Sequence, residues 1–260
     1  MTVSSARPGT ATPLDLGALR SRINGRVVGP NDDDYEAART VMYGGIDRHP
    51  AAIVRVAGVD DIRVVIETAR EHGLELAVRS GGHSAKGDST TEGGIVLDLA
   101  DMASIDIDPA TKTAWVEAGA SALAVTEAAA THHLAVGFGD TGSVGVGGIT
   151  TGGGVGYLGR KHGLTIDNLL AAEIVTADGT VHVVDGEHEP DLFWAVRGGA
   201  GNVGVVTRFR YRLHELPQVV GGMFILPATI VDSPSAASAG PATAIASTEA
   251  TGATKFLICI

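Results

Sequence analysis

Three glycine-rich segments of the sequence carry the residues that could do chemistry. The first is 79–84, Arg-Ser-Gly-Gly-His-Ser. Its glycines and successive backbone N–H groups would form a concave nest for a diphosphate, and the hydroxyls of Ser80 and Ser84 would add donors. The alternative interpretation is an ordinary surface turn with a solvated histidine, His83.

The second segment, 139–156, contains nine glycines in eighteen residues. A glycine inside a regular element costs roughly 0.5–1 kcal/mol relative to alanine, so this composition predicts that a flat or anionic ligand approaches the backbone closely. A flexible linker is the alternative. The interleaved apolar residues Val144, Val146, Ile149 and Val155 argue against a linker, because they require burial.

The third segment, 197–207, matches G-x-G-x-x-G through Gly199, Gly201 and Gly204. A dinucleotide fingerprint needs a strand before the glycines and a helix after them. Here a helix-like stretch, 191–197, precedes the glycines and a strand-like stretch, 205–213, follows. This order excludes a Rossmann NAD site, and the sequence has no P-loop.

A strand, a helix and a second strand lead into the first segment. The strand at 53–56 is followed by apolar residues spaced i, i+3, i+4, i+7 between 62 and 69, which predict a helix with Asp60 as N-cap and Gly73 as C-cap. The strand at 74–78 then enters the loop at 79–84. This is a βαβ-like unit that ends in a glycine loop.

Further short elements predict an α+β fold with mixed sheets. Ser121 is the predicted N-cap of a helix that runs to Thr131, and Asp178-Gly179 predicts a hairpin turn. The predicted strands of this part are 95–99, 105–107, 114–117, 174–176, 181–184 and 205–213.

Composition restricts the possible partners and surroundings. The chain has 260 residues, 19 Lys+Arg and 30 Asp+Glu, so its net charge is 19 − 30 = −11, and we expect neither nucleic acid nor anionic membrane as a partner. A single cysteine, Cys259, excludes an internal disulfide framework and a cysteine-based metal site. No apolar run is long enough to span a bilayer, and we expect a cytoplasmic location.

Four motifs together resemble one family. The segments 79–84, 139–156, 159–168 and 191–199 occur in the order and spacing of the FAD-binding (PCMH-type) domain of the vanillyl-alcohol oxidase superfamily, and the berberine bridge enzyme-like oxidoreductases in particular. The resemblance runs from about Pro50 to Pro217. It implies a two-lobed α+β domain with mixed sheets and flanking helices, which holds FAD between the lobes.

The resemblance also implies roles for individual residues. His83 occupies the position at which the family attaches the flavin 8α-methyl group covalently. Thr141 stands where many relatives carry a second, cysteine link, so a single link is expected. Val144 would lie beside flavin C4a, where a small side chain leaves room for oxygen. The residues assigned to FAD are Arg79, Ser80, Gly81, Gly82, His83, Ser84, Thr141, Gly142, Val144, Gly145, Gly148, Gly152, Gly153, Gly154, Tyr157, Gly204 and Val206.

The expected domains are an N-terminal leader and helical segment (1–46), the FAD domain (47–217), and a substrate-domain remnant with a low-complexity tail (218–260). Relatives are longer, so we expect a truncation or frameshift near residue 231. Two functions stay open. One is a covalent FAD oxidoreductase that oxidises a small molecule and reduces molecular oxygen, and the other is a flavin-binding fragment without turnover. No tyrosine matches the family's catalytic base. His132, His133, His182 and His188 are expected to be solvated surface residues, and the basic turn 160–162 is expected to be solvated as well.

Overall fold

The structure is a computed structural model that describes residues 14–216. Its helices are α1 (Leu16–Arg22), α2 (Tyr35–Arg39), α3 (Val59–His72), α4 (Ala122–Ala130), α5 (Val146–Thr151), α6 (Gly159–His162) and α7 (Pro190–Gly199). Its strands are β1 (Arg26–Val28), β2 (Ala52–Arg55), β3 (Leu76–Arg79), β4 (Ile95–Asp98), β5 (Ile105–Asp108), β6 (Thr113–Glu117), β7 (Leu134–Ala135), β8 (Leu169–Val175), β9 (Val181–Asp185), β10 (Val205–Arg212) and β11 (His214–Glu215). Two 3₁₀ turns span Thr165–Asn168 and Ala200–Asn202.

The first lobe is a four-stranded mixed sheet with the order β1-β2-β4-β3. β4 lies between β2 and β3 and runs parallel to both, whereas β1 pairs antiparallel with β2. The predicted βαβ-like unit is therefore present, but its two strands are separated by β4. Parallel strands are usually buried on both faces, and all four residues of β4 are buried.

Helix α3 connects β2 to β3, the two strands of the predicted unit, and buries one of its own faces. Ile62, Val65 and Ala69 point into the core at the predicted helical spacing. Gly73 is the C-cap, as predicted: it has φ 63°, and its N–H donates to the last carbonyls of the helix. The predicted N-cap was wrong, because Gly58 caps the helix and Asp60 lies within its first turn.

The second lobe is a five-stranded antiparallel sheet with the order β5-β6-β10-β8-β9. The hairpin between β8 and β9 forms at the predicted Asp178-Gly179 turn, where Thr176 N–H donates to the carbonyl of Thr180. β10 is the central strand, and Phe209 and Tyr211 on it are fully buried. Helix α4 begins at the predicted cap, where Ser121 Oγ accepts from Ala124 N–H at 3.2 Å.

One hydrophobic core joins the two sheets. It contains Val54 and Leu97 of the first sheet together with Ile174 and Phe209 of the second. The other face of the first sheet is covered separately by Tyr35, which packs with Val28, Ile53, Ala77 and Val96. This division follows from the alternation of side chains along a strand.

The N-terminal segment contributes more than a leader and a helix. β1 forms an edge of the first sheet, and Leu14 and Leu16 pack against the main core. The expected substrate-domain remnant and low-complexity tail (218–260) lie outside the described residues. Between residues 14 and 216, no helix is long and apolar enough to cross a membrane.

Candidate functional site

The loop 80–84 follows directly from β3 and leaves several backbone donors without an acceptor. Among residues 14–216, the structure gives no hydrogen-bond acceptor to the N–H groups of Gly81, Gly82, His83 or Ser84. Gly82 has φ 71°, a conformation that glycine adopts without a steric cost. Four successive donors without an acceptor in a tight loop would suit the anion-binding nest that the sequence predicts.

A buried cation lies beneath this loop. Arg79 is 6 % exposed, and its Nη2 donates to Asp98 Oδ2 at 2.8 Å. Arg55 also approaches the same carboxylate, with Nε 3.4 Å from Oδ2. Arg79 Nη1 is buried and has no hydrogen-bond partner within the described part of the chain. Asp98, at the end of β4, was not predicted, although an acidic residue ending a buried strand is a recognisable signal.

The glycine tract meets the loop backbone to backbone. A Cβ built on Gly81 would lie 2.3 Å from the nitrogen of Gly145, and one built on Gly145 would lie 2.0 Å from Ser80 Oγ. Ser80 Oγ donates to the carbonyl of Ala118 at 2.6 Å and accepts from Gly147 N–H at 3.3 Å. Some glycines of the tract are therefore required by contacts within the chain. The prediction that a ligand alone explains the glycine content of the tract was therefore incomplete.

His83 and Ser143 connect the same two segments through their side chains. His83 is partly buried, and its Nε2 lies 3.2 Å from Ser143 Oγ. Ser143 was not among the predicted site residues. Its position in the tract, among glycines and apolar residues, was the signal that could have identified it.

Some of the remaining tract residues contact other parts of the chain, and others face open space. Gly148 is exposed, and a Cβ built on it would meet nothing within 4 Å, which also holds for Gly153. A Cβ on Gly154 would meet Thr165, and one on Gly142 would meet Leu123. Two other predicted residues of this region are exposed: Thr141, which is hydrogen-bonded to Asp140, and Tyr157, at 55 % exposure. Val144 packs against the core, and Gly152 lies at the end of α5.

The segment 159–168 pairs with the tract. Thr165 N–H donates to the carbonyl of Gly154, and Ile166 N–H donates to that of Gly153. The interpretation of 160–162 as a solvated turn was wrong for His162. Its ring stacks on His214 with centroids 3.9 Å apart, and its Nε2 is buried.

The third glycine segment packs against helix α5, which lies within the glycine tract. Helix α5 contacts both α7 and the turn 200–202. The order of α7 before the glycines and β10 after them confirms that this is not a dinucleotide fingerprint. Gly204 lies just before β10, where a built Cβ would be 2.4 Å from the carbonyl oxygen of Val175, and Val206 is buried in the strand.

None of the tyrosines emerges as a catalytic base. Tyr211 donates to or accepts from Thr150 at 2.6 Å, and burial raises the pKa of its hydroxyl far above its usual value. Tyr35 donates to the carbonyl of Pro50, and burial also raises its pKa. Tyr43 and Tyr157 are exposed.

Known proteins share this arrangement. A family described as FAD binding domain matches residues 50–185. The (R)-6-hydroxynicotine oxidase of Paenarthrobacter nicotinovorans is 40% identical over 215 residues, which are 83% of this chain and 45% of that protein. A berberine bridge enzyme-like protein of Physcomitrella patens superposes with a TM-score of 0.73 at 31% identity, covering 78% of this chain and 45% of that one. Xylooligosaccharide oxidase of Myceliophthora thermophila, solved with xylobiose, gives 0.72 at 30% identity, covering 76% and 42%.

The chain therefore spans less than half the length of these relatives. The matched region contains the loop 80–84 and the whole glycine tract, and both sheets belong to the α+β architecture that the resemblance implied. On this agreement of sequence and fold, the chain belongs to the FAD binding domain family of the FAD-linked oxidoreductases.

Proposed function

We propose that this chain forms the FAD-binding part of a covalent flavin oxidase. In this proposal the enzyme oxidises a C–OH or C–N centre of a small molecule and reduces molecular oxygen. The observation that carries the proposal is that the loop 80–84 and the third glycine segment both pack on the glycine tract. In that loop, the N–H groups of residues 81–84 have no acceptor among residues 14–216, and the His83 side chain reaches the tract. The chain's membership of the family supports FAD as the cofactor.

The residues present fit the chemistry of FAD. A diphosphate requires several backbone donors in a concave loop, and residues 81–84 offer them. The buried guanidinium of Arg79 would add positive potential under the anion, and its free Nη1 has hydrogen-bonding capacity left. The open surface at Gly148 and Gly153 would let a flat ring system approach the backbone.

Each group of residues has a distinct task in this proposal. The 81–84 donors hold the diphosphate, His83 forms a single covalent link to the 8α-methyl group, and the tract 139–156 supports the ring. Thr141 offers no thiol for a second link. When bound, FAD supplies the two-electron chemistry, in which N5 accepts a hydride and oxygen takes the electrons. An imidazole link withdraws electron density from the flavin and favours the oxidation of reluctant substrates.

The names of the relatives support the substrate class. One is named for 6-hydroxynicotine and another for xylooligosaccharides, and both are called oxidases. These names support an amine, alcohol or sugar as the substrate and oxygen as the acceptor.

A second candidate function is flavin binding without turnover. The tyrosines favour it, because Tyr35 and Tyr211 are both buried and use their hydroxyls in hydrogen bonds within the fold. Neither hydroxyl is available to remove a proton from a substrate.

Acid precipitation of the purified chain tests the proposal. The pellet should stay yellow and fluoresce in a denaturing gel, and His83→Ala should release the flavin into the supernatant. His132→Ala is the matched control, since His132 is exposed. A pellet that loses all its colour would disprove covalent attachment, and a chain that binds no flavin would disprove the proposed cofactor.

A further inference from the structure

We propose that Ser143 is a positioning residue for the covalent attachment of the flavin: it holds the His83 imidazole by Nε2 and leaves Nδ1 as the nitrogen that bonds to the cofactor. This inference rests on the proposed function. It starts from the contact of 3.2 Å between Ser143 Oγ and His83 Nε2. The structure gives Nδ1 no hydrogen-bond partner among residues 14–216.

The backbone makes this contact a fixed feature of the site. The two residues are 60 positions apart in sequence, and they meet because the loop 80–84 packs on the tract at Gly81 and Gly145. Ser80 Oγ bridges the carbonyl of Ala118 and the N–H of Gly147, which anchors the start of the loop. With no room for a Cβ at the crossing, neither segment can shift without breaking its packing.

The hydrogen bond also occupies Nε2 and leaves Nδ1 as the free nitrogen of the imidazole. A neutral imidazole carries a proton on one nitrogen and a lone pair on the other. If Nε2–H donates to Ser143 Oγ, the lone pair is on Nδ1, and that nitrogen can act as a nucleophile. A hydroxyl suits this position because it can both accept and donate.

The attachment step balances with oxygen as the oxidant. The Nδ1–C8α bond forms, one C–H bond of the 8α-methyl group and the Nε2–H bond break, and two protons leave. The two electrons of the C–H bond reduce the flavin, which passes them to molecular oxygen to give hydrogen peroxide with the two protons. Nε2 then holds a lone pair, and the Ser143 hydroxyl reverses its role and donates to it.

The test compares the rate of covalent incorporation in flavin-free protein incubated with FAD and air. Ser143→Ala should slow incorporation about tenfold, which corresponds to ~1.4 kcal/mol and is typical of one hydrogen bond. Ser143→Thr keeps the hydroxyl and should restore most of the rate. Ser21→Ala is the control, since Ser21 lies on α1 and bonds only to the carbonyl of Ala18.

A second readout separates positioning from a general loss of structure. Hydrolysis of the labelled protein yields a histidyl-flavin whose linkage isomer can be assigned by NMR. The unchanged protein should give the Nδ1 isomer, and Ser143→Ala should give a mixture, because an imidazole that is not held can rotate. Urea unfolding of the flavin-free protein should be the same with and without the Ser143→Ala substitution, since the Ser143 side chain is exposed.

The outcomes distinguish this inference from the proposed function. If the unchanged protein binds FAD covalently and Ser143→Ala does so at the same rate with the same isomer, the role of Ser143 is disproved and the proposed function stands. An Nε2 isomer in the unchanged protein would overturn the assignment as well. If the unchanged protein shows no covalent flavin, the proposed attachment fails and the positioning role fails with it.

Discussion

At the scale of single residues, Gly145 and Gly148 distinguish folding from cofactor binding. Gly145→Ala should destabilise the protein by roughly 1–3 kcal/mol, because its Cβ would clash with Ser80 Oγ and Gly81 N. Gly148→Ala should not lower the unfolding free energy and could raise it by about 0.5–1 kcal/mol, since Gly148 lies in α5 and a Cβ there meets nothing within 4 Å. Urea unfolding measures both effects.

Flavin binding should be sensitive to Gly148→Ala, although this substitution does not lower the stability of the fold. If the cofactor packs on the open surface of α5, Gly148→Ala weakens FAD binding in a protein that is otherwise stable. FAD fluorescence titration measures this affinity. Unchanged FAD affinity in Gly148→Ala, or unchanged stability in Gly145→Ala, would contradict the corresponding assignment.

Val144 carries a prediction about the electron acceptor. Its side chain packs against the core beside Ser143, and the family resemblance places it near flavin C4a, where valine leaves space for oxygen. Val144→Leu should slow reoxidation of the reduced flavin by air, because a larger side chain would fill that space. Photoreduction followed by mixing with aerated buffer gives the reoxidation rate.

Val146→Leu is the matched control for this substitution. Val146 is fully buried in α5, so its replacement tests whether a methylene added nearby acts through packing alone. Equal reoxidation rates for Val144→Leu and the unchanged protein would contradict the proposal that Val144 leaves space for oxygen.

At the scale of elements, the stack of His162 and His214 joins α6 to the strand pair β7–β11. Asn168 fixes this contact: its Nδ2 donates to the carbonyls of His162 and Leu164, and its Oδ1 lies 2.6 Å from His214 Nε2. Burial lowers the pKa of His214, and electrostatic interactions with His162, Arg212 and Lys161 lower it further. His214 is therefore neutral in the folded protein at neutral pH.

This arrangement predicts how stability changes with pH. A histidine whose pKa is lower in the folded than in the unfolded state contributes stability above its unfolded value, about 6.5, and that contribution is lost as the pH falls below it. His214→Gln keeps a donor for Asn168 and removes the titration. The fall in the unfolding free energy between pH 7.5 and 5.5 should then be smaller than in the unchanged protein.

His132→Gln provides the comparison, because His132 is exposed and no contact of the stack involves it. Its pH dependence should match that of the unchanged protein. An identical fall with pH for His214→Gln would show that the stack does not contribute to the acid sensitivity of the fold.

At the scale of the whole molecule, we predict that the 260-residue chain binds flavin without substantial turnover of alcohols, sugars or amines. In the proposed function both lobes contribute to the cofactor site, but the hydroxyls of the buried Tyr35 and Tyr211 are hydrogen-bonded to Pro50 and Thr150. A reaction also needs a closed site that holds the substrate near the flavin, and several apolar side chains in and near the tract are open. Val155 is one of them: the sequence predicted its burial, which was wrong, because its side chain is 78 % exposed.

Oxygen consumption by the flavin-loaded chain measures this prediction. A panel of sugars, alcohols and amines should give no uptake above that of the chain without substrate. Robust uptake that depends on substrate and disappears in His83→Ala would show that the chain is a complete oxidase.

Side-chain hydrogen bonds also connect the two lobes. Arg63 Nε on α3 donates to the carbonyl of Gly179 at 2.9 Å, and Arg70 Nη1 lies 3.4 Å from that of Ala177. Both arginines reach from the first lobe to the hairpin of the second. They add to the shared core in holding together the two halves of the proposed flavin site.

Sequence alone determined the local features of this protein. The spacing of Ile62, Val65 and Ala69 specifies the buried face of α3, Ser121 specifies the start of α4, and Asp178-Gly179 specifies a hairpin, because each depends on neighbours within a few residues. The order of the motifs also identified the family and its fold. These signals follow from helix and strand periodicity and from the backbone preferences of individual residues.

Tertiary structure alone decided which distant residues meet. β4 inserts between two strands that the local pattern would place side by side, the loop 80–84 crosses the tract at Gly81 and Gly145, and Ser143 reaches His83. The stack of His162 on His214 also replaced the predicted solvated turn. Most of these contacts join residues about 50 or more positions apart, and packing of the whole chain selects them, because no local periodicity records which surfaces will face each other.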